Sequence, residues 1–327
     1  MKKKTNNNPL IDHFNAFKIP YLTGAGFVAW FILLLILATA GQVPPYRSNA
    51  IEIGSISIAW YAVFILTGIV FAVILAVQEA KYLGIDINHL YDGILFAVPL
   101  SIVGSRIYFV LTYKDGSFSS IGEVFNISGG GLSIHGAVIT AIIFVLIYTK
   151  IRKMNVFALL DILAPGFLIG QIIGRWGNFF NQEAHGGPIS EGTLKNLRYV
   201  IPNFIIENMN ISGTYYHPTF LYEGLWNLAG LIGLLIVRRK RLLKLGDMIG
   251  IYLMWYGFGR GLLIEPFRTD PLYIGSWRVN IVLSLTLFFL GGLIYIFSKN
   301  YFIKDLPMYL DVVNEHKQNR EKDVKKK

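Results

Sequence analysis

The polar residues of this chain are gathered into short stretches, and long apolar runs separate them. Val63 to Val77, Val279 to Phe297 and Phe27 to Ala40 are almost free of charge. A helix needs about 17 to 25 such residues to cross a bilayer. Eight segments read as spans: Gly24–Ala40, Ala59–Val77, Gly93–Leu111, Leu132–Tyr148, Val156–Ile173, Pro218–Val237, Met248–Ile264 and Val279–Phe297. The pattern predicts an all-α polytopic membrane protein of about eight transmembrane helices, without an internal repeat.

Composition agrees. Of 327 residues, 54% are hydrophobic and 15% charged, where soluble domains carry roughly a quarter charged. A net charge of +10 would suggest nucleic acid as the partner of a soluble protein. Here its placement says otherwise, and no nucleic acid is expected. The N-terminus, the loops 78–90, 149–155 and 238–245, and the stretch from Lys299 onward hold 21 of the 30 lysines and arginines. With an even number of spans these lie on one side, which the positive-inside rule makes cytoplasmic. The first span also has signal-peptide features, a basic start and the small triplet Ala38-Thr39-Ala40. Its long basic region and long apolar run favour an uncleaved anchor. Residues 176–217 form the largest segment on the other side, enough for a small extracytoplasmic cap. The tail after Lys304 reads as a solvated helix or disorder. There is no cysteine, and the six histidines lack metal-ligand spacing, so neither metal nor cofactor is expected.

Ionisable residues within spans are costly and usually functional. The topology puts Tyr61, Arg106, His135, Arg175, Tyr222, Glu223, Arg260, Glu265 and Arg268 near one depth, the outer leaflet. Asp161 lies apart, early in the fifth span, as a helix-packing or partner residue. Two or three arginines at headgroup depth suit a phosphate, which guanidinium binds bidentately. A transporter for a lipid or small anion would place its site near the midplane between repeats, and the sequence shows neither feature.

Four segments carry a more specific signal. Gly174-Arg175-Trp176-Gly177-Asn178-Phe179-Phe180-Asn181-Gln182-Glu183-Ala184-His185-Gly186-Gly187 resembles the signature of the prolipoprotein diacylglyceryl transferases. Gly129-Gly130-Gly131-Leu132-Ser133-Ile134-His135-Gly136 resembles that family's glycine-rich segment. His217-Pro218-Thr219-Phe220-Leu221-Tyr222-Glu223 resembles its next motif, and Trp255-Tyr256-Gly257-Phe258-Gly259-Arg260, followed by Glu265-Pro266-Phe267-Arg268-Thr269-Asp270, its penultimate helix. Trp60-Tyr61 and Gly104-Ser105-Arg106 also fit. The resemblance covers about residues 55 to 300. The family usually has seven spans, so the first span looks added. That implies residues 1–54 as N-terminus and extra span, 55–300 as the transferase core, and 301–327 as a charged cytoplasmic tail. Ala137 stands where the family commonly has a second glycine after the histidine.

The resemblance implies transfer of the diacylglyceryl group of phosphatidylglycerol to the lipobox cysteine of a prolipoprotein signal peptide, releasing glycerol-1-phosphate. The bacterial plasma membrane would be its place and the lipid bilayer its solvent. The chemistry needs a thiolate and a stabilised leaving phosphate. Arg175 and Arg260 are the candidate phosphate clamp. His135 is the candidate base, with an arginine-activated thiol as rival. Tyr61, Asn178 and Glu183 would position headgroup hydroxyls or the arginines. Gly177 and Gly186 would let backbone approach the ligand. Arg106, Tyr222, Tyr256, Glu265 and Arg268 would support them, although span-end arginines such as Arg268 and Arg278 also simply snorkel to headgroups. His185 and His217 read as structural.

Overall fold

A computed structural model describes residues 18–54, 56–112, 122, 124, 131–269 and 273–325. Seven helices are long and apolar enough to cross a membrane. They are α1 (Lys18–Thr39), α2 (Trp60–Tyr82), α3 (Ile87–Thr112), α4 (Ile134–Ile151), α5 (Val156–Phe180), α8 (Thr219–Val237) and α10 (Val279–Phe302). The eighth expected span is composite. α9 (Asp247–Phe258) runs on into a π-helical turn, Gly259–Ile264, and a 3-10 turn, Glu265–Phe267. Asp247, Arg260 and two tyrosines make it less apolar than the other seven. Between α5 and α8 stand two short helices, α6 (Glu191–Val200) and α7 (Asn203–Asn208), and a two-stranded ribbon. α5 extends two turns beyond the expected Ile173, so the first half of the signature is helical and the cap begins only at Asn181.

Helices close to bundle distance where side chains are absent. Gly68 of α2 meets Gly170 of α5 backbone to backbone, which draws together the two most extensively packed helices. α3 and α4 interlock as a hairpin: a Cβ on Gly104 would overlap Thr140. One hydrophobic core joins all the loops rich in Lys and Arg and includes Ala80, Leu90, Tyr148, Leu159, Met248 and Tyr309. A second core, at the end carrying the sequence motifs, includes Leu34, Phe64, Ile173, Phe179, Ile206 and Phe220. Among the described residues, α3 and α4 contribute to the first core and nothing to the second. The hairpin is thus anchored at the basic end and stands apart from the bundle at the motif end.

The basic end is knitted by polar groups. Asp161 accepts from Gly246 N at 2.6 Å and Met248 N at 3.0 Å, satisfying orphan donors at the start of α9. That is the packing role its sequence position suggested. The tail departs from expectation. Helix α11 (Tyr309–Lys325) buries its first turns, with Tyr309 and Val313 at 0% and 1% exposure. An apolar face at 309–313 inside an otherwise charged segment accounts for the difference.

Candidate functional site

Glu223 lies in the second turn of α8 and is 3% exposed. A carboxylate so placed requires charged partners, and two arginines supply them. Arg175 Nη2, from the last turns of α5, lies 2.7 Å from Glu223 Oε1. Arg260 Nη1, from the π turn, lies 3.5 Å from Oε2. Arg260 Nη2 also stands 3.1 Å from Glu265 Oε2, an ion pair not aligned as a hydrogen bond. Glu265 is held in turn by Asn280 Nδ2 at 3.0 Å. Arg175 Nη1 donates to Asn178 Oδ1 at 3.3 Å, and Asn178 Nδ2 to Glu183 Oε1 at 2.9 Å. Tyr61 and Tyr256 lie within electrostatic reach of Arg175. The cluster therefore unites three helices that are distant in sequence.

Local structure explains how the two arginines come to face one carboxylate. A π turn carries an extra residue per turn, a feature often found at functional sites, and it rotates Arg260 away from where an α-helix would place it. The junction is braced by a tryptophan pair. Trp226 and Trp255 stack with ring centroids 4.1 Å apart. Each indole N–H donates to the other residue's backbone carbonyl at 3.0 Å. Gly259 and Gly230 make room, since a Cβ on either would overlap the facing indole. The brace links α8 one turn from Glu223 to α9 just before Arg260.

The other expected residues divide. Gly177 and Gly186 do permit close approach, but protein makes it. A Cβ on Gly177 would lie 2.5 Å from the Tyr61 ring, and one on Gly186 would lie 2.8 Å from Phe267 O. Gly186 N donates to His217 O at 2.8 Å and Gly187 N to Phe267 O at 2.8 Å, stitching the cap to the ends of α8 and α9. Arg268 Nη1 donates to Ala184 O at 3.3 Å, in the same seam. Arg278 Nη1 donates to Glu265 O at 2.9 Å, so it ties a turn rather than snorkelling. Arg106 is buried, and its guanidinium donates to Val124 O at 2.8 Å and Gly131 O at 2.9 Å. These bonds hold Val124 and Gly131, ahead of α4, against α3. Gly129, Gly130 and Asp270 lie outside the described residues.

His135 lies in the first turn of α4 and is exposed, with its ring against Tyr108 at 5.9 Å. It lies at the motif end of the hairpin that stands apart from the bundle, and no hydrogen bond joins it to the arginine cluster among the described residues. His217 is partly buried, with Nδ1 3.2 Å from the Tyr222 hydroxyl. Burial holds its imidazole below its ordinary value. The residue that sequence reasoning undervalued is Glu223. Its signal was present: a carboxylate inside an apolar helix, six residues after His217.

A family model described as prolipoprotein diacylglyceryl transferase matches residues 48–297. Three relatives bear the name phosphatidylglycerol–prolipoprotein diacylglyceryl transferase. That of Listeria monocytogenes serotype 4b is 45% identical over 255 residues, covering 77% of this chain and 91% of its own. That of Streptococcus pneumoniae is 44% identical over 262 residues, 80% of this chain and 96% of its own. That of Ligilactobacillus salivarius is 43% identical over 253 residues, 77% of this chain and 93% of its own. The matched region begins after α1.

Proposed function

The chain belongs to the prolipoprotein diacylglyceryl transferase family, and from that premise we propose how its site carries out the transfer. The enzyme moves the diacylglyceryl group of phosphatidylglycerol onto a cysteine thiol of a prolipoprotein. The thiolate attacks the glycerol carbon bearing the phosphate, a C–S bond forms as the C–O bond breaks, and glycerol-1-phosphate leaves. The acceptor is the lipobox cysteine at the outer end of a signal peptide. We place the enzyme in the bacterial plasma membrane, with the basic end and both termini cytoplasmic and the arginine cluster near the outer leaflet. Residues 55–300 form the catalytic core, 1–54 the added span and 301–327 the tail.

One observation carries the reading: Arg175 and Arg260, from different helices, converge on Glu223 with single-point contacts. Guanidinium pairs aimed at one position suit the growing charge of a leaving phosphate. Glu223 holds them ready, and Asn178 and Glu183 orient Arg175. The separation of the α3–α4 hairpin from the motif-end core supports lateral entry for a lipid and a signal-peptide helix. His135, exposed at the motif end of that hairpin, would take the thiol proton when substrate brings the two sides together. Its lack of contact with the cluster favours a second reading, in which the arginines' positive field alone lowers the thiol pKa.

The test is an incubation with phosphatidylglycerol liposomes and a lipobox peptide, read by mass spectrometry. Wild type should place a diacylglyceryl adduct on the cysteine, and Arg175→Ala should lose it. His135→Ala without adduct supports the histidine base; with adduct, the arginine field. Glycerol phosphate released without adduct would instead mean hydrolysis, and bound lipid without either product would mean transport.

A further inference from the structure

One turn deeper than the arginine pair lies a second polar layer. α5 and α8 run antiparallel, so Gln171, one turn before Arg175, comes level with Asn227, one turn after Glu223. α8 and α9 also run antiparallel, which brings Tyr256 to the same level. Tyr256 is within electrostatic reach of Glu223, Arg260 and Arg175, and its ring stacks on Tyr252 at 6.1 Å. Gln171 Nε2 donates to the Tyr252 hydroxyl at 2.9 Å. The layer is incompletely satisfied. Asn227 is 0% exposed, and neither its amide oxygen nor its amide nitrogen has a hydrogen-bond partner. Gln171 Oε1 is likewise buried and unpartnered.

Burying an amide without partners costs about 1–3 kcal/mol per group, and buried polar groups in native proteins nearly always find one. Packing alone would favour Leu at position 227, since every residue of α8 after Asn227 is apolar. Unpartnered amide oxygens and an amide nitrogen at one level of the bundle are complementary to hydroxyl groups that both donate and accept. With a phosphate on Arg175 and Arg260, the headgroup hydroxyls of the lipid fall one turn away.

We propose that Asn227 and Gln171 form a diol subsite that reads the glycerol headgroup and so selects phosphatidylglycerol among phospholipids. The proposal rests on the transferase reading above. The subsite binds hydroxyls through Asn227 Oδ1 and Nδ2 and Gln171 Oε1, with the Tyr256 phenol as a further partner. It holds the glycerol of the leaving glycerol phosphate through the reaction, while the arginines hold its phosphate.

Phosphatidylpropanol tests this. It has the same phosphate and acyl chains, and a headgroup without the two hydroxyls, so its leaving group is chemically equivalent. Wild type, assayed with the lipobox peptide, should prefer phosphatidylglycerol in kcat/KM by at least about a hundredfold, because sites built to bond a hydroxyl reject analogues lacking it. Asn227→Leu should lower the phosphatidylglycerol value and leave the phosphatidylpropanol value near wild type, so that the ratio falls to about tenfold or less. Gln171→Met should move the ratio the same way and serves if Asn227→Leu does not fold. A purely structural role would lower both substrates together. An unchanged ratio in the folded variants, or no preference in wild type, overturns the proposal; the amides then hold water only. Adduct formation by wild type with phosphatidylglycerol keeps the transferase reading standing in either case.

Discussion

The molecule builds the same charge motif twice, one carboxylate between two arginines, and the two copies behave differently. At the basic end Glu79 is 2% exposed. Arg239 grips it bidentately, with Nη1 at 2.7 Å from Oε1 and Nη2 at 2.5 Å from Oε2. Arg238 Nη1 approaches Oε2 at 3.1 Å, and Tyr309 of the tail helix donates its hydroxyl to Oε1. Both arginine side chains are below 10% exposure. At the motif end Glu223 is as deeply buried, yet each arginine touches it through one nitrogen, and Arg175 keeps 23% of its side chain exposed. The inner carboxylate is closed: Arg239 grips both of its oxygens, Arg238 and Tyr309 add one contact each, and the one gap is Arg238 Nε, buried without a hydrogen-bond partner. The outer one is a clamp already formed around a carboxylate and still open on one side, as a site that must admit a phosphate requires. Saturation of the pairing, rather than the presence of buried charge, separates the structural cluster from the chemical one.

The comparison is broken most directly at Glu79. Glu79→Ala leaves two guanidiniums buried without a counter-charge, and removing one partner of a buried pair typically costs about 3–5 kcal/mol. The variant should show a large drop in thermal midpoint in detergent and poor yield, while any folded fraction retains wild-type activity per molecule. A loss of stability no greater than that of Glu223→Ala would mean the two clusters are alike after all.

Glu223→Gln should invert that pattern. The side chain keeps its shape but no longer neutralises Arg175 and Arg260, which then lose their common aim. Activity should fall by about a hundredfold, near 2.7 kcal/mol of transition-state stabilisation, with a thermal midpoint close to wild type because Arg175 and Arg260 remain partly hydrated. Steady-state kinetics beside a melting curve on one preparation decide it. An inactive and unstable variant would assign Glu223 to the same class as Glu79.

The inner cluster can be loosened without breaking it. In Tyr309, burial and the neighbouring Glu79 carboxylate hold the phenol well above its ordinary value, so it remains a donor throughout the physiological range. Hydrogen bonds to charged groups contribute about 1.5–3 kcal/mol. Tyr309→Phe should destabilise by about that amount in denaturant titrations, with kcat/KM unchanged. A variant as stable as wild type would mean that the tail helix is held by its apolar contacts alone.

These two clusters were unequally legible in the sequence. The spans and the common side of the basic loops follow from apolar run length and charge placement, the motifs from the family resemblance, and all eight segments recur as helices. Of the residues placed at one depth, Arg175, Arg260 and Glu265 come together around Glu223, and Asn178 joins them through Arg175. Which helix faces are apposed is not encoded in any one segment. Glu223 therefore stood among its neighbours without a role, and Arg238-Arg239 read only as positive-inside charge. Tyr309 was hidden because its segment is charged overall, and Glu79 because it falls just past the apolar run. The π turn has no local sequence signature: an extra residue in a turn is selected by the packing of Trp226 and Gly259, which becomes visible only when α8 meets α9. Gly177 and Gly186, expected to let backbone approach a ligand, lie against the Tyr61 ring and Phe267 O.

The smallest expected effect concerns the seam that joins the cap to the outer cluster. The His217 carbonyl accepts from Gly186 N, and the His217 ring packs on Phe267 at 5.1 Å between centroids. Burial depresses its imidazole below the free value of 6.5, so the folded cap favours the neutral ring. The unstitched cap binds the proton more readily. Stability from this group is therefore complete above about pH 6.5 and is lost as pH falls through that value toward the depressed one. Because the residue is only partly buried, the contribution is small and local. Hydrogen exchange at Gly186, Gly187 and His217, corrected for intrinsic rates, should quicken between pH 7.5 and about 5.5. The amides at the inner triad should not respond, because Glu79, Arg238, Arg239 and Tyr309 form it without a histidine. His217→Gln should flatten the outer response. A quickening that survives this substitution would assign the pH sensitivity to the carboxylates of the clamp, and the outer cluster would then be the more weakly saturated of the two in protons as well as in hydrogen bonds.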